Sequence, residues 1–104
     1  MTMPSLEMPK VLAFVASVGS SNRTTAGAQQ VRVNFPQPLA AGVTPVVAVT
    51  PLQGSEYAPG SIPDTFALTI TGINNTGFTV NIWRVDNGGK GWGQNLRLSC
   101  LISA

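Results

Sequence analysis

The stretch TGFTVNIWRVDNGGKGWGQNLRLSCLIS, Thr76 to Ser103, decides how this chain folds. Its first part places Phe78, Val80 and Ile82 at every second position, opposite Thr79, Asn81 and Trp83. Its last part repeats the pattern, with Leu96, Leu98, Cys100 and Ile102 against Arg97, Ser99 and Leu101. Successive side chains of a strand point to opposite faces, so a period of two marks a strand with one buried side. Between the runs lies DNGGKGWG, whose glycines tolerate the positive φ of a tight connection. The stretch reads as two strands whose apolar sets face a core.

The same reading extends outward. Val31, Val33 and Phe35 alternate with Arg32 and Asn34, and Phe66, Leu68 and Ile70 with Ala67, Thr69 and Thr71. Six strands are predicted: Val11–Val18, Gln29–Phe35, Thr44–Thr50, Thr65–Thr71, Gly77–Val85 and Asn95–Ile102. No stretch sustains a helical period. The expected fold is all-β, a six-stranded antiparallel β-sandwich over residues 11–104. Pro4 and Pro9 keep residues 1–10 out of regular structure, so they read as an extended N-terminal arm. Three prolines and Tyr57 mark the connection over residues 51–64 as shaped by ring constraint.

The first strand breaks the alternation. In VLAFVASV, Val11, Ala13 and Val15 occupy one face and Leu12, Phe14, Ala16 and Val18 the other. A strand apolar on both faces needs a second cover, which in a domain this small points to another subunit. Leu12 and Phe14 are assigned to that neighbour-facing surface, with Trp83, Arg84, Arg97 and Leu101.

The chain has 104 residues, enough for one domain with one core. Six basic and four acidic residues leave a net charge of +2, so Thr, Ser, Asn, Gln, Gly and Ala must cover most of the surface. The basic residues are dispersed, and nucleic-acid binding needs a basic stripe that releases counterions. The sequence has no histidine, a single cysteine and no paired carboxylates, which argues against catalysis, a metal centre, a cofactor and an internal disulfide. No apolar run reaches the length of a membrane span. KVLAFVASVGSS looks like a signal peptide, but its apolar run is short and Glu7 sits in the would-be basic region. The expectation is an intact chain made in the cytoplasm.

Several residues could carry a site. Trp83, Trp92 and Tyr57 could stack on a sugar ring, with Asp86 as a polar partner, although interface or loop-base roles suit the tryptophans better. NGGKGWG lacks the spacing of a phosphate-binding loop and reads as a flexible hairpin tip. Cys100 shares the apolar face of Leu96 and Leu98 and reads as a small hydrophobe. Arg84 and Asp86 sit at one strand end, where they could form an ion pair or a ligand clamp.

At TGFTVNIWRVDNGG, followed by LRLSCLIS, the chain resembles the H-type lectin-like domain. The resemblance spans roughly residues 29–103, with VRVNF and TPVVAVTP upstream, and includes small β-domains of bacteriophage tail fibres and virion surfaces. It implies a six-stranded antiparallel sandwich that assembles as parallel trimers, which can pair into hexamers. The Trp-His pair with which family members hold N-acetylgalactosamine falls here on Val85 and Asp86. The family's arginine falls near Thr65, its loop aspartate near Thr24, and its disulfide is missing. The resemblance thus implies fold and trimer without that sugar specificity.

The function expected from these readings is that of a non-enzymatic phage virion protein, a homotrimer decorating the capsid or the tail surface. The arm, through Met3, Pro4, Leu6 and Met8, would dock it to a capsid or tail partner. The alternative is a carbohydrate-binding lectin or host-receptor adhesin whose partner is a surface glycan.

Overall fold

The computed structural model describes residues 11–52 and 64–104. The arm candidates Met3, Pro4, Leu6 and Met8, and the ligand candidate Tyr57, lie outside the described residues. The described chain forms β1 (Val11–Ser21), β2 (Gln29–Asn34), β3 (Val46–Leu52), β4 (Phe66–Thr71), β5 (Gly77–Arg84) and β6 (Trp92–Ser103). They make two three-stranded antiparallel sheets, ordered β1-β6-β3 and β2-β5-β4. The fold is all-β and sandwich-like.

The two central strands supply the core. Phe78, Val80 and Ile82 of β5, and Leu96, Leu98 and Ile102 of β6, are almost wholly buried. Phe35 packs on Phe78 with ring centroids 5.9 Å apart. Inward side chains of the edge strands, including Leu12, Val31, Val47 and Leu68, pack against this cluster but stay half-buried. Among the described residues each sheet has one strand flanked on both sides, so burial is deepest on β5 and β6, with Val33 of β2 buried beside them.

β1 resolves its ambiguity in one direction. Leu12, Phe14, Ala16 and Val18 face the core, whereas Val11 and Val15 are exposed. The placement of Leu12 and Phe14 toward a neighbour is therefore corrected: they point inward, and Val11, Ala13 and Val15 form the outer face. Alternation fixed the two faces of β1, but with both apolar it could not say which one the core would take.

Three strands run past their expected bounds. β1 continues to Ser21 through irregular pairing at Gly19, whose φ of +85° suits a residue without Cβ. β6 begins at Trp92 and pairs there with Ser21. β3 runs two residues beyond the expected Thr50, and Pro51 is tolerated because β3 is an edge strand. At the β4–β5 turn, Asn74 Oδ1 accepts from the amides of Thr76 (2.9 Å) and Gly77 (3.1 Å) and from Arg32 Nη2 (2.9 Å). This is an Asx-type turn.

Cys100 is buried, and burial pushes its thiol pKa up. It acts as part of the core.

The facing of β6 is open to direct test. Leu98→Ala should lower stability by about 3 kcal/mol, whereas Ser99→Ala should stay within about 0.5 kcal/mol. Urea unfolding followed by far-UV circular dichroism reads both. Equal midpoints for the two variants would contradict the assigned faces.

Candidate functional site

Two connections converge at the end of the sheets where β1 stops and β6 starts: residues 22–28 between β1 and β2, and residues 85–91 between β5 and β6. The second was expected as a flexible tip. Here it is braced at both ends. Gly89 N donates to Arg84 O at 2.8 Å and Lys90 N to Asn87 O at 3.1 Å, closing the turn on itself. Gly91 N donates to Arg23 O at 2.8 Å, and Gly27 N to Gly89 O at 3.1 Å, tying it to the other loop.

Glycine is needed at two places in this brace. Gly91 lies so close to the backbone of Ser21 and Arg23 that a Cβ would collide with both. Gly89 has φ +75° and carries the Trp83 ring against its backbone, leaving no room for a side chain.

Arg84 is the hub of this end. Its Nη2 donates to Asp64 Oδ1 at 2.8 Å, its Nε to Asp86 Oδ1 at 3.0 Å, and its Nη1 to Gly91 O at 2.8 Å. Asp86 Oδ1 also accepts from Thr65 N at 3.1 Å. One planar fork thus joins the start of β4, the end of β5 and the β5–β6 loop. The Arg84–Asp86 ion pair expected from sequence is present. Arg84 spends its donors within the chain, so its role is to hold this end together rather than to face a neighbour. The Arg84 guanidinium hydrogen-bonded to Asp86 holds that carboxyl below its ordinary value of 3.8.

The tryptophans divide. Trp83 is partly exposed, at 38 %, on the outer face of the β2-β5-β4 sheet and covers Gly89. Trp92 is buried, stands edge-on to Phe66 with centroids 5.1 Å apart, and donates from Nε1 to Gly19 O at 2.7 Å. Its indole donor is used and its ring faces Phe66, so Trp92 offers no platform for stacking a sugar. The signal was present in the sequence. Trp92 and Gln94 share the even-numbered parity of Leu96, Leu98, Cys100 and Ile102, and both are buried. Trp83, Asp86 and Trp92 therefore do not converge as a ligand site.

Between the two loops lies a shallow, open depression of about 340 Å³. Asn22, Arg23 and Thr24 line it from one loop, Asn87 and Lys90 from the other, and Trp92 closes the floor. Of these residues only Trp92 was named as a ligand candidate, because the depression exists only once β1 and β6 bring the loops together.

The outer faces of the two sheets differ in character. On β2-β5-β4 the polar groups satisfy one another: Gln30 Nε2 donates to Asn81 Oδ1 at 2.8 Å, and Arg32 Nη1 to Gly72 O at 2.7 Å. On β1-β6-β3, Val11, Val15, Val46 and Leu101 are each at least half exposed. Register places Ala13, Leu101 and Ala48 side by side, with Val11, Ser103 and Val46 in the next row. Arg97 lies on the same face, opposite Ser17 and Leu52, at the other end of the patch.

Among the described residues no group of three His, Cys, Asp or Glu could hold a metal ion. No helix among them is long and apolar enough to cross a membrane. Comparison with known proteins finds no matching family model, no matching curated protein and no matching solved structure.

The Arg84 hub predicts a stability pattern. Arg84→Gln should lower stability by about 2 kcal/mol by stranding its acceptors, whereas Asp86→Asn, at an exposed position, should cost about 1 kcal/mol or less. The folded-state pKa of Asp86 lies below its unfolded value, so the pair stabilises fully above the ordinary carboxylate range. That contribution is lost as pH falls through the range. Denaturant midpoints taken from about pH 6 to pH 3 should therefore fall more steeply for wild type than for Asp86→Asn. Parallel profiles would contradict the pair's contribution.

Proposed function

We propose that this chain is a non-enzymatic structural protein of a bacteriophage virion, a homotrimer that decorates the capsid or the tail surface. The observation that carries self-association is the apolar outer face of the β1-β6-β3 sheet. Val11, Val15, Val46 and Leu101 are exposed there beside Ala13 and Ala48, with no charged side chain in the rows that hold them. A contiguous exposed apolar patch is characteristic of an interaction surface. The outer face of the other sheet is instead hydrogen-bonded around Arg32 and Asn81, with Trp83 exposed at its loop end.

The β1 edge supports the same reading. Its eleven residues contain no charge and no proline, the usual guards against edge pairing. A neighbouring copy that covers the outer face would also shield this edge. The virion assignment rests on the resemblance to the H-type lectin-like domain, which six strands in two antiparallel sheets suit. The sparse charge of the chain suits permanent packing beside copies of itself. In this reading residues 1–10 are the arm that docks the trimer on the particle.

Light scattering across a dilution series tests the self-association. The expected result is a stable trimer, or a hexamer, for wild type. Leu101→Lys places a charge in the patch and should weaken assembly at least tenfold, about 1.4 kcal/mol, while leaving the circular dichroism spectrum unchanged. A wild-type protein that is monomeric throughout would overturn the proposal.

A further inference from the structure

The turn that joins β5 to β6 holds a pair of residues whose chemistry the fold leaves open. Asn87 is the one asparagine of this chain that is followed by glycine. Asparagine is a labile residue, because the next main-chain nitrogen can close a five-membered ring on its side-chain amide. Glycine presents that nitrogen with no Cβ beside it to shield the attack.

Both reacting groups are accessible. Asn87 and Gly88 are exposed, and beyond the chain neighbours nothing lies within 4 Å of where a Gly88 Cβ would stand. Gly88 and Gly89 have φ of +58° and +75°, and Lys90 N donates to Asn87 O at 3.1 Å, so the two glycines form the centre of a tight turn. The main-chain bonds that brace this loop use the amides of Gly89, Lys90 and Gly91 and leave that of Gly88 outside them. Closing bonds of an exposed turn open locally at low cost, so the fold slows ring closure only modestly.

The other asparagines are guarded. Asn74 Oδ1 accepts from the Thr76 and Gly77 amides and from Arg32, and Asn75 Nδ2 donates to Leu39 O at 3.2 Å. Asn81 is bonded to Gln30 and Thr71. Asn34 and Asn95 stand in strands, and Asn22 is followed by Arg23, whose side chain crowds its nitrogen.

We infer that Asn87 is a self-modification site, converting without an enzyme to aspartate and isoaspartate. Gly88 N gives its proton to solvent base and attacks Asn87 Cγ. The N–Cγ bond forms, the Cγ–Nδ2 bond breaks, and Nδ2 takes a solvent proton and leaves as ammonia. Water then opens the succinimide at one of its two carbonyls. Breaking the bond from N to Cγ gives an ordinary aspartate. Breaking the bond from N to the main-chain carbonyl carbon gives isoaspartate, with the chain rerouted through Cβ and Cγ. No oxidant or reductant is needed.

The second product acts on the fold. The carbonyl of residue 87 that accepts from Lys90 becomes a free carboxylate, and an extra main-chain carbon enters the loop closed by Gly89 N and Arg84 O. Gly89 carries the Trp83 ring and accepts from Gly27 N, so isoaspartate loosens the tie between the two loops.

Ageing the purified full chain in mildly alkaline buffer tests the inference. Trypsin then releases residues 85–90 as one peptide, in which Asn87 is the one side-chain amide. That peptide should gain about 1 Da, both products resolving against synthetic standards. Its conversion should outpace every other asparagine by about tenfold or more and stay within about tenfold of the free 85–90 peptide. Gly88→Ala should slow it about tenfold, and because alanine is strained at φ +58° the same substitution in the free peptide repeats the comparison without the fold. The aged chain should also unfold at lower denaturant than Asn87→Asp, which adds the charge without the extra main-chain carbon. An unchanged peptide from the aged chain after the free peptide has converted, an earlier change at another asparagine, aspartate without isoaspartate, or equal rates for Gly88→Ala would each overturn the assignment. Equal unfolding midpoints would overturn the loosening of the loop end.

Discussion

The packing of β5 against β6 is the constraint from which the rest of the molecule follows. With three strands to a sheet among the described residues, these two have neighbours on both sides, and they supply most of the deeply buried side chains. Burying side chains such as Phe78, Ile82, Leu96 and Leu98 contributes roughly 1.5–3 kcal/mol each relative to exposure. The edge strands add partly buried side chains to a core that the central pair already defines. Their positions are set by pairing. β6 fixes β1 and β3, so Val11, Ser103 and Val46 share one row at one end, while Ser21 meets Trp92 at the other.

That arrangement separates two kinds of surface. The outer face of β1-β6-β3 collects aliphatic side chains near the row of Val11, whereas the loops beyond the far end of β1 carry Asn22, Arg23, Asn87 and Lys90 around an open depression. Scarcity of charge sharpens the contrast, because both described carboxylates, Asp64 and Asp86, are held by one arginine.

Much of the fold was legible in the period of two. The inward sets on β2, β4, β5 and β6 follow from alternation because each has one apolar and one mainly polar face. β1 was legible only in part, since its two faces are both apolar and parity carries no information about which is inside. Trp92 was misread for a different reason. Its glycine-rich neighbourhood suggested loop, while its parity with Leu96 already placed it on the inner face. The depression and the Arg84–Asp64 bond were not legible. Arg84 meets Asp64 because Phe66 pairs with Arg84 across the sheet, and the depression joins loops separated by some sixty residues of sequence. Such convergence depends on strand order, which local pattern does not encode.

The place of β6 in the strand order has a consequence for how the chain acquires its shape during synthesis. β6 is the last strand of the sandwich to be made, yet it is the middle strand of its sheet. β1 and β3 pair with β6 and not with each other, so neither has a sheet partner until it emerges. The β2-β5-β4 sheet is complete in sequence by Arg84, but its inner face lacks the opposing layer until the same moment. Pairing of the two sheets with each other is therefore deferred until β6 has emerged, with the uncharged β1 waiting longest. Topologies dominated by distant pairings fold slowly and expose strand edges meanwhile. Nascent chains on neighbouring ribosomes would thus meet with β1 still unpaired, and early cross-pairing between chains is the hazard this topology creates.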